Sequence, residues 1–515
     1  MKILRVFPKL KTRLEAIWDT RRGLSWIRGR SAPLAILASL FVGAFFAPAG
    51  RAQNLCSSGA DSGKVACTVA NVYGPGGLST NGQALVQHNF FGAQPTSFFL
   101  NLTALNSAVG GQLGQLPLVS PASGIAFSFN KALGVFVPLD YNFGSVLSER
   151  SGTIGRHKFL VGFSFQRFDF DTLDGLALKN LPAAFTQNDV GNCSATSAAT
   201  SVAGCAFIRD VIVSRTNIDL SVNQFTSFRS FGITDRFDVS VAVPVINVGM
   251  TVTSAATVHN NGSDNNIQFI DPATGQGCLP NPCFNRTFSN HTGSTGIGDL
   301  TFRAKYTIWR GEKQGFAVGG DLRVPTGDAL NYQGAGAIGV KVFGAWSRSG
   351  RIAPHLNVGY EWNGNSYLAG NITPTTVNGV TPTATKDNLP AQVLYSAGLE
   401  IGLVRRLSLG LDYLGNYYLN APRIASSSLQ ELPACSVPPP PGQTGLSACN
   451  SFQATGAVDP VFQQTKSSFN TSNASVGLRF RPFGKFLITG NVVIKLDDPG
   501  LRSKFIPLAG ISYSH

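Results

Sequence analysis

Residues 295–328 constrain the fold of this chain more than any other stretch, because they predict two strands joined by a polar turn at residues 310–313. In each arm apolar residues occupy one parity, and the other parity carries charge, as at Arg303, Lys305, Asp321 and Arg323. Buried unpaired charge is costly in a soluble core, but it suits a strand that lies between lipid and a wet lumen. The stretch therefore predicts a hairpin of a transmembrane β-barrel.

From residue 124 to the C-terminus, strands of the same period follow, and the connections between them alternate in length. Short turns occur at 232–236, 348–351 and 482–485, whereas long polar loops run over 254–294 and 371–386. A soluble sandwich has no reason to sort its loops in this way, but outer-membrane barrels have short periplasmic turns and long external loops. We therefore expect an all-β fold, a transmembrane antiparallel β-barrel of about 12–14 strands. The count depends on whether residues 125–137 hold two strands or one bent segment.

Charged residues recur on the inward parity of these strands. For any one of them the simpler interpretation is a solvated or mutually paired wall, and the functional one is a charge that organises water or pairs across the bore. The lumen-facing candidates are Arg303, Lys305, Asp321, Arg323, Lys341, Glu361, Glu400, Asp412 and Arg479.

The N-terminus predicts an export signal. Residues 1–30 carry nine Lys or Arg, and a 13-residue apolar run from Leu34 to Phe46 follows. That run is too short to span a bilayer as a helix, and small residues near Ala52 suit cleavage. Removal of residues 1–52 lowers the formal charge from +14 to +6, because ten basic and two acidic residues are lost. No basic cluster with interleaved aromatics remains, so a nucleic-acid partner is not expected.

The paired motifs of the opening hairpin carry a resemblance to a known family. Residues 231–244 and 296–328 resemble the outer-membrane transporters of the meta-cleavage phenol-degradation pathway, which are related to the long-chain fatty-acid channels. The resemblance spans roughly residues 230–330 and implies uptake of small hydrophobic or aromatic molecules across the outer membrane. The motif residues are Gly296, Gly298, Asp299, Pro325, Thr326, Gly327 and Asp328.

A short amphipathic helix is predicted before the barrel, because apolar residues recur at helical spacing after residue 96. In fatty-acid channels an N-terminal segment plugs the lumen, so the resemblance implies a plug, and a periplasmic linker is the equal alternative. The plug candidates are Phe98, Phe99, Leu102, Leu105 and Val109. The expected organisation is a signal peptide over 1–52, a periplasmic or plug segment over 53–123 and a barrel over 124–515.

The eight cysteines fall into four couples that are local in sequence. Short loops cost little to close in an oxidising compartment, so we expect four disulfides, with zinc as the alternative for the couple at 278–283. The couples are Cys56 with Cys67, Cys193 with Cys205, Cys278 with Cys283, and Cys435 with Cys449.

No motif of catalysis or cofactor binding stands in a suitable context. The glycines at 293–298 precede an alternating strand and not a helix, which argues against a dinucleotide site. The histidines lack metal-ligand spacing, and no nucleophile elbow occurs. We therefore expect a passive uptake channel in the outer membrane, not an enzyme, without metal or cofactor. Its expected partners are outer-membrane lipid, the barrel-assembly machinery and hydrophobic small molecules. A barrel that mainly presents its loops, or less so an outer-membrane hydrolase, is the alternative.

Overall fold

The structure is a computed structural model. It describes residues 55–56, 61–73, 78–81, 87–89, 97–116, 127–130, 135–138, 147–186, 210–261, 268–270, 283–372, 384–431, 433 and 455–515. The predicted signal peptide lies outside these residues. Among the helices of the described part, none is long and apolar enough to cross a membrane.

Twelve antiparallel strands close into a barrel in which each strand pairs with its neighbours in the chain, and the last pairs with the first. The expected barrel is confirmed, at the lower end of the expected strand count. The barrel strands are β1 (Phe159–Leu173), β2 (Val211–Gly232), β3 (Phe237–His259), β4 (Leu300–Arg310), β5 (Gln314–Val324), β6 (Gly339–Arg348), β7 (Ile352–Asn363), β8 (Ala391–Val404), β9 (Leu407–Gln430), β10 (Val458–Phe480), β11 (Phe486–Lys495) and β12 (Phe505–Ser514).

The remaining described elements are not among the twelve strands of the ring. Helix α1 spans Ser97–Leu113, and single turns of 3₁₀ helix cover Val65–Cys67, Leu178–Asn180 and Ala329–Asn331. Strands Phe127–Asn130 and Val135–Pro138 pair only as a separate hairpin, so the first barrel strand begins at Phe159. The other short strands are Ser79–Asn81, Gln87–Asn89, Leu176–Ala177, Leu181–Thr186, Gln268–Phe269, Asn285–Ile297, Asn365–Asn371, Thr385–Asn388 and Leu501–Ser503.

The barrel has short turns at one end and long connections at the other. We call the end with short turns the inner end and the other the outer end, because outer-membrane barrels have their short turns in the periplasm. Near the inner end of β3 apolar side chains from Phe237 to Val245 alternate outward, and Asp238 is buried inward. These nine residues match the length that a tilted strand needs to cross a bilayer. Exposed Ile308, Val358 and other large apolar side chains continue the outward band on the other strands.

Above this band the polarity of the strands reverses. On β3 the inward Val248, Met250 and Val252 are buried, whereas the outward positions are polar, as at Thr251 and Thr253. Strand Asn285–Ile297 pairs with this outer part of β3. Residues 254–259 and 285–294 of the expected loop 254–294 are therefore strand. The sequence did not predict them, because a wall with water outside and a packed core inside lacks the pattern of a membrane-spanning strand.

The N-terminal segment, residues 55–116, supplies the core that this outer wall covers. Cys67 and Val65 are fully buried, and the ring of Tyr73 meets Phe288 and Phe185 edge-on at 5.0 and 6.0 Å. The barrel thus has a polar lumen in its membrane-spanning half and an apolar interior in its outer half.

Candidate functional site

The barrel lumen encloses a cavity of about 230 Å³. Gln115 and Leu116, just after helix α1, line its outer side, and Glu149 lines its inner side. Contacts with strand β7 show which of these residues lie closer to the outer end of the barrel. Near the outer end of β7, Asn363 Nδ2 donates to Gln115 Oε1 at 3.4 Å, and further inward Asn357 Nδ2 donates to the Glu149 carbonyl at 3.0 Å.

One arc of the cavity wall, from β4 to β7, is charged. Arg303 binds Asp321 through two hydrogen bonds of 2.6 Å, and Lys341 Nζ lies 2.6 Å from the same carboxylate. Arg323 lies 3.4 Å from Glu361. Paired charges of this kind hold each other's side chains in place, because each would otherwise be left uncompensated in a confined space.

The remaining arc, formed by β8 to β12 and β1, carries no charged side chain among the described residues that line it, and mixes apolar with uncharged polar side chains, such as Ser396 and Asn473. Because one side of the cavity is charged and the other offers several apolar side chains, it suits a small molecule that has both an apolar body and a polar group. The apolar lining side chains are Phe168, Leu394, Leu414, Val493 and Ile506.

Three uncharged lining residues hold polar atoms that lack a hydrogen-bond partner within the described part of the protein. Gln166 Oε1 and Gln392 Oε1 are acceptors on side chains that are 1% and 2% exposed, and Thr301 Oγ1 is the third atom. A buried polar group without a partner is costly. These atoms can therefore bind water or a polar group of a guest in the cavity.

An extended segment, residues 147–156, crosses the lumen below the cavity, and we call it the inner segment. Its Glu149 carboxylate bonds Arg303 and lies 3.5 Å from Lys305 Nζ. Ser151 Oγ lies 2.6 Å from Ser347 Oγ, and the Ser151 carbonyl accepts from Thr307 at 2.6 Å. The segment is thus held to the wall by charged and neutral hydrogen bonds.

A second buried charge group joins the inner segment to the opposite wall. Glu400, which is fully buried, accepts from Arg150 of the inner segment and from Arg479 Nη1 at 2.9 Å. Nearby, His355 Nε2 and Asp412 Oδ1 lie 2.6 Å apart. All nine residues expected in the lumen therefore lie inside the barrel and form ion pairs or hydrogen bonds with polar neighbours.

Helix α1 lies over the outer side of the cavity. Leu105 and Val109 are buried, and Gln112 Oε1 accepts from the Leu501 amide at 2.7 Å. The Gly114 carbonyl, just after the helix, accepts from Arg323 Nη1 at 2.8 Å. Phe98, Phe99 and Leu102 lie in the same helix, but their side chains fall outside the described part of the structure.

The family motif residues form a hydrogen-bonded junction at the outer end of β4 and β5. Asp299 accepts from the Gly327 and Ala335 amides at 3.0 and 2.7 Å, and Thr326 Oγ1 donates to the Gly298 carbonyl at 2.7 Å. Gly327 must lack a side chain, because a Cβ there would lie 2.6 Å from a backbone oxygen of Gln333. Gly296 and the exposed Pro325 flank this junction.

The same junction contacts the N-terminal segment. Asp328 caps the turn Ala329–Asn331 through the amides of Leu330 and Asn331, and its Oδ2 lies 2.7 Å from Lys64 Nζ. The motif therefore contributes no reactive group. It orders the loop against which the N-terminal segment rests.

One of the expected cysteine couples lies within the described residues. Cys56 and Cys67 form a disulfide with a Cα–Cα distance of 5.3 Å, and Cys283 is also disulfide-bonded. Cys193, Cys205, Cys278, Cys435 and Cys449 lie outside the described residues.

Four charged or titratable residues of the lumen escaped the sequence analysis. Glu149 and Arg150 stand in an irregular stretch, so no strand period marks them as inward. Asp238 and His355 do fall on an inward parity, and that parity is the signal that could have found them.

A protein-family model matches the part of the chain that contains the hairpin of residues 295–328. The model of the family described as "Putative MetA-pathway of phenol degradation" matches residues 208–385. No curated protein matches the chain.

Several solved outer-membrane proteins resemble the chain weakly. The COG4313 outer membrane channel from Pseudomonas putida F1 is 12% identical with a TM-score of 0.35, and the match covers 72% of this chain and 100% of that one. A Pseudomonas aeruginosa FadL homologue is 8% identical with a TM-score of 0.26, covering 70% and 89%. The CymD monoaromatic hydrocarbon channel is 8% identical with a TM-score of 0.22, covering 70% and 88%. The chain is an outer-membrane β-barrel protein whose residues 208–385 match the phenol-degradation family that its hairpin motifs resemble.

Proposed function

We propose that this protein is a passive outer-membrane channel for the uptake of small hydrophobic or aromatic compounds. The observation that carries the proposal is the cavity of about 230 Å³ inside the barrel, with one charged arc and one uncharged arc that holds several apolar side chains. An apolar cavity of about 150 Å³ is enough to hold benzene, so a one-ring compound fits here. The match of residues 208–385 to a family described by phenol degradation supports the aromatic class.

The charged arc would orient such a compound and keep water in the lumen. Arg303, Arg323 and Lys341 present cationic groups to the cavity, which the unpaired acceptors of Gln166 and Gln392 also line. A guest with a hydroxyl group would satisfy an acceptor, and its ring would lie against the apolar side chains of the uncharged arc. The nine lumen-facing candidates are therefore proposed as structural and orienting residues without a catalytic role.

Two elements would have to move for passage. Helix α1 and the residues after it cover the outer side of the cavity, and we propose that this segment, with Phe98, Phe99, Leu102, Leu105 and Val109, acts as the plug. The inner segment covers the inner side. The inner segment is held mainly by hydrogen bonds and ion pairs, which water can replace when it swings away. Helix α1 also buries Leu105 and Val109 in the apolar core, so its displacement would expose apolar surface as well.

The test uses the purified, refolded protein in planar bilayers and in liposomes. Deletion of residues 97–113 should raise single-channel conductance, whereas Asp169→Asn, in an exposed pair with Arg167, should leave conductance at the wild-type value. Proteoliposomes without an energy source should take up phenol or toluene faster than empty liposomes.

Three results would contradict the proposal in different ways. Unchanged conductance of the deletion variant, with a folded and heat-modifiable barrel, would refute the plug. Uptake no faster than in empty liposomes, together with equal growth of a knockout strain on these compounds, would favour a barrel that only presents its loops. Hydrolysis of test esters by the pure protein would favour the hydrolase.

A further inference from the structure

Three potential metal ligands meet at the outer end of the barrel. His259 ends β3, Glu431 follows β9, and Asp459 stands near the start of β10. One ligand atom from each of them lies within 4.8 Å of the other two. None of these residues lines the lumen cavity, so the proposed transport site does not account for them.

The strands that supply these residues stand on opposite sides of the barrel. In the ring of twelve, five strands separate β3 from β9 in either direction. Twelve strands about 4.8 Å apart give a circumference of about 58 Å and a diameter of about 18 Å even without tilt. Yet His259 Nδ1 lies 2.8 Å from Glu431 Oε1. The ends of β3 and β9 therefore reach over the mouth of the barrel and touch.

The contact brings the carboxylates of Glu431 and Asp459 together at a position that is largely shielded from solvent. The Glu431 side chain is 2% exposed, and Asn261 Nδ2 donates to its Oε2 at 2.6 Å. Asp459 Oδ2 is buried and has no hydrogen-bond partner within the described part of the protein. Two adjacent carboxylates repel each other, so one of them binds a proton unless a cation lies between them.

We propose that His259, Glu431 and Asp459 form a binding site for a divalent transition-metal ion of the zinc class, which fastens the outer mouth of the barrel. Imidazole nitrogen and carboxylate oxygen are both zinc ligands, and three protein ligands leave a fourth position for water, as in open zinc sites. Calcium and magnesium prefer oxygen ligands alone, so the imidazole selects against them. The ion replaces the proton that the carboxylate pair otherwise shares.

Electrostatics around the cluster agree with a cation or a proton at this point. Burial, followed by the hydrogen bond with Glu431, raises the pKa of Asp459 to about 6, and Arg215 of β2 acts in the opposite direction. Burial would raise the pKa of Glu431, but its hydrogen bonds from Asp459, His259 and Asn261 leave it lowered. Protons and metal compete for the same atoms, so binding should strengthen as the pH rises from 5 to 7.

The binding test uses the folded full-length barrel in detergent at pH 7. Bound metal is first removed with EDTA and the EDTA is removed in turn, and ZnCl₂ is then titrated in a calorimeter. We expect one equivalent of tight binding, which CaCl₂ in large excess does not displace. His259→Ala and Asp459→Asn should each weaken binding by more than the roughly 10–100-fold that loss of a supporting second-shell residue costs. His291→Ala is the matched control, because His291 lies on the neighbouring strand and bonds Thr251 outside the cluster.

The closure test measures conductance with ZnCl₂ on the outer side of a planar bilayer. Zinc should lower the open fraction of the wild type, EDTA should restore it, and His259→Ala should not respond. No binding, equal binding by His259→Ala, or displacement by calcium would overturn the zinc site. Binding without any change in conductance would overturn its role at the mouth. Because His259 is 35% exposed, His259→Ala keeps a test available if Asp459→Asn does not fold.

Discussion

Replacing Glu149 by glutamine should unfasten the inner segment from the lumen wall. The carboxylate bonds Arg303 and lies 3.5 Å from Lys305, whereas the backbone of Glu149 keeps its bonds to Asn357 in the variant. A hydrogen bond to a charged group contributes about 1.5–3 kcal/mol, and the amide retains part of it as a neutral bond. Losing the charge should therefore cost the closed position about 1–2 kcal/mol.

That cost corresponds to about a 5–30-fold change in the ratio of closed to open states, since 1.36 kcal/mol is a factor of ten. The assay is the open fraction of single channels of Glu149→Gln in planar bilayers at low voltage, with Asp169→Asn as control. The control changes an ion pair whose side chains are 46% and 59% exposed, and such pairs contribute about 0–1 kcal/mol. An unchanged open fraction in a folded Glu149→Gln barrel would refute the inner segment as a gate, and an equal rise in the control would show a general loosening.

Three further predictions follow from the buried charges, the motif and the outer cluster. Glu400→Gln should lower the free energy of unfolding in urea by about 3–5 kcal/mol, because Arg479, 1% exposed, stays buried without its partner charge; a loss below about 1 kcal/mol would contradict this. Gly327→Ala should speed proteolysis of the 325–338 loop, because its Cβ would lie 2.6 Å from Gln333 O, whereas Gly249→Ala, with only a 3.5 Å contact, should behave as wild type. In EDTA the open fraction should rise as the pH increases from about 4.5 to about 6. Protonated Asp459 stabilises the closed mouth, and because its pKa is raised to about 6 the proton is lost over this range. Asp459→Asn should remove this pH dependence, and its persistence would assign it to another group.

The membrane-spanning half of the barrel could be predicted from the sequence, and the outer half could not. Where lipid lies outside and water inside, each strand alternates strictly, so the parity of Arg303 and Glu361 is readable from sequence. In strand Asn285–Ile297 exposure alternates, but Phe288 is the one apolar residue among the less exposed positions, so hydrophobicity shows no period there. The inner segment has no period because it is held by individual side-chain bonds. The cluster of His259, Glu431 and Asp459 depends on strands that are distant in the ring, and local sequence holds no sign of that contact.

The reversal of polarity along β2 and β3 bears on how these strands find their partners during assembly. Sliding β3 by one residue would turn Asp238 and Ser240 toward lipid and, at the same time, Val248 and Met250 toward water. In this strand such a slip is unfavourable twice, because charged and polar side chains would face lipid in one half and apolar side chains would face water in the other. Both halves therefore favour the same register. Strand β3 has 23 residues and therefore many ways to misalign, and it carries both patterns along its length.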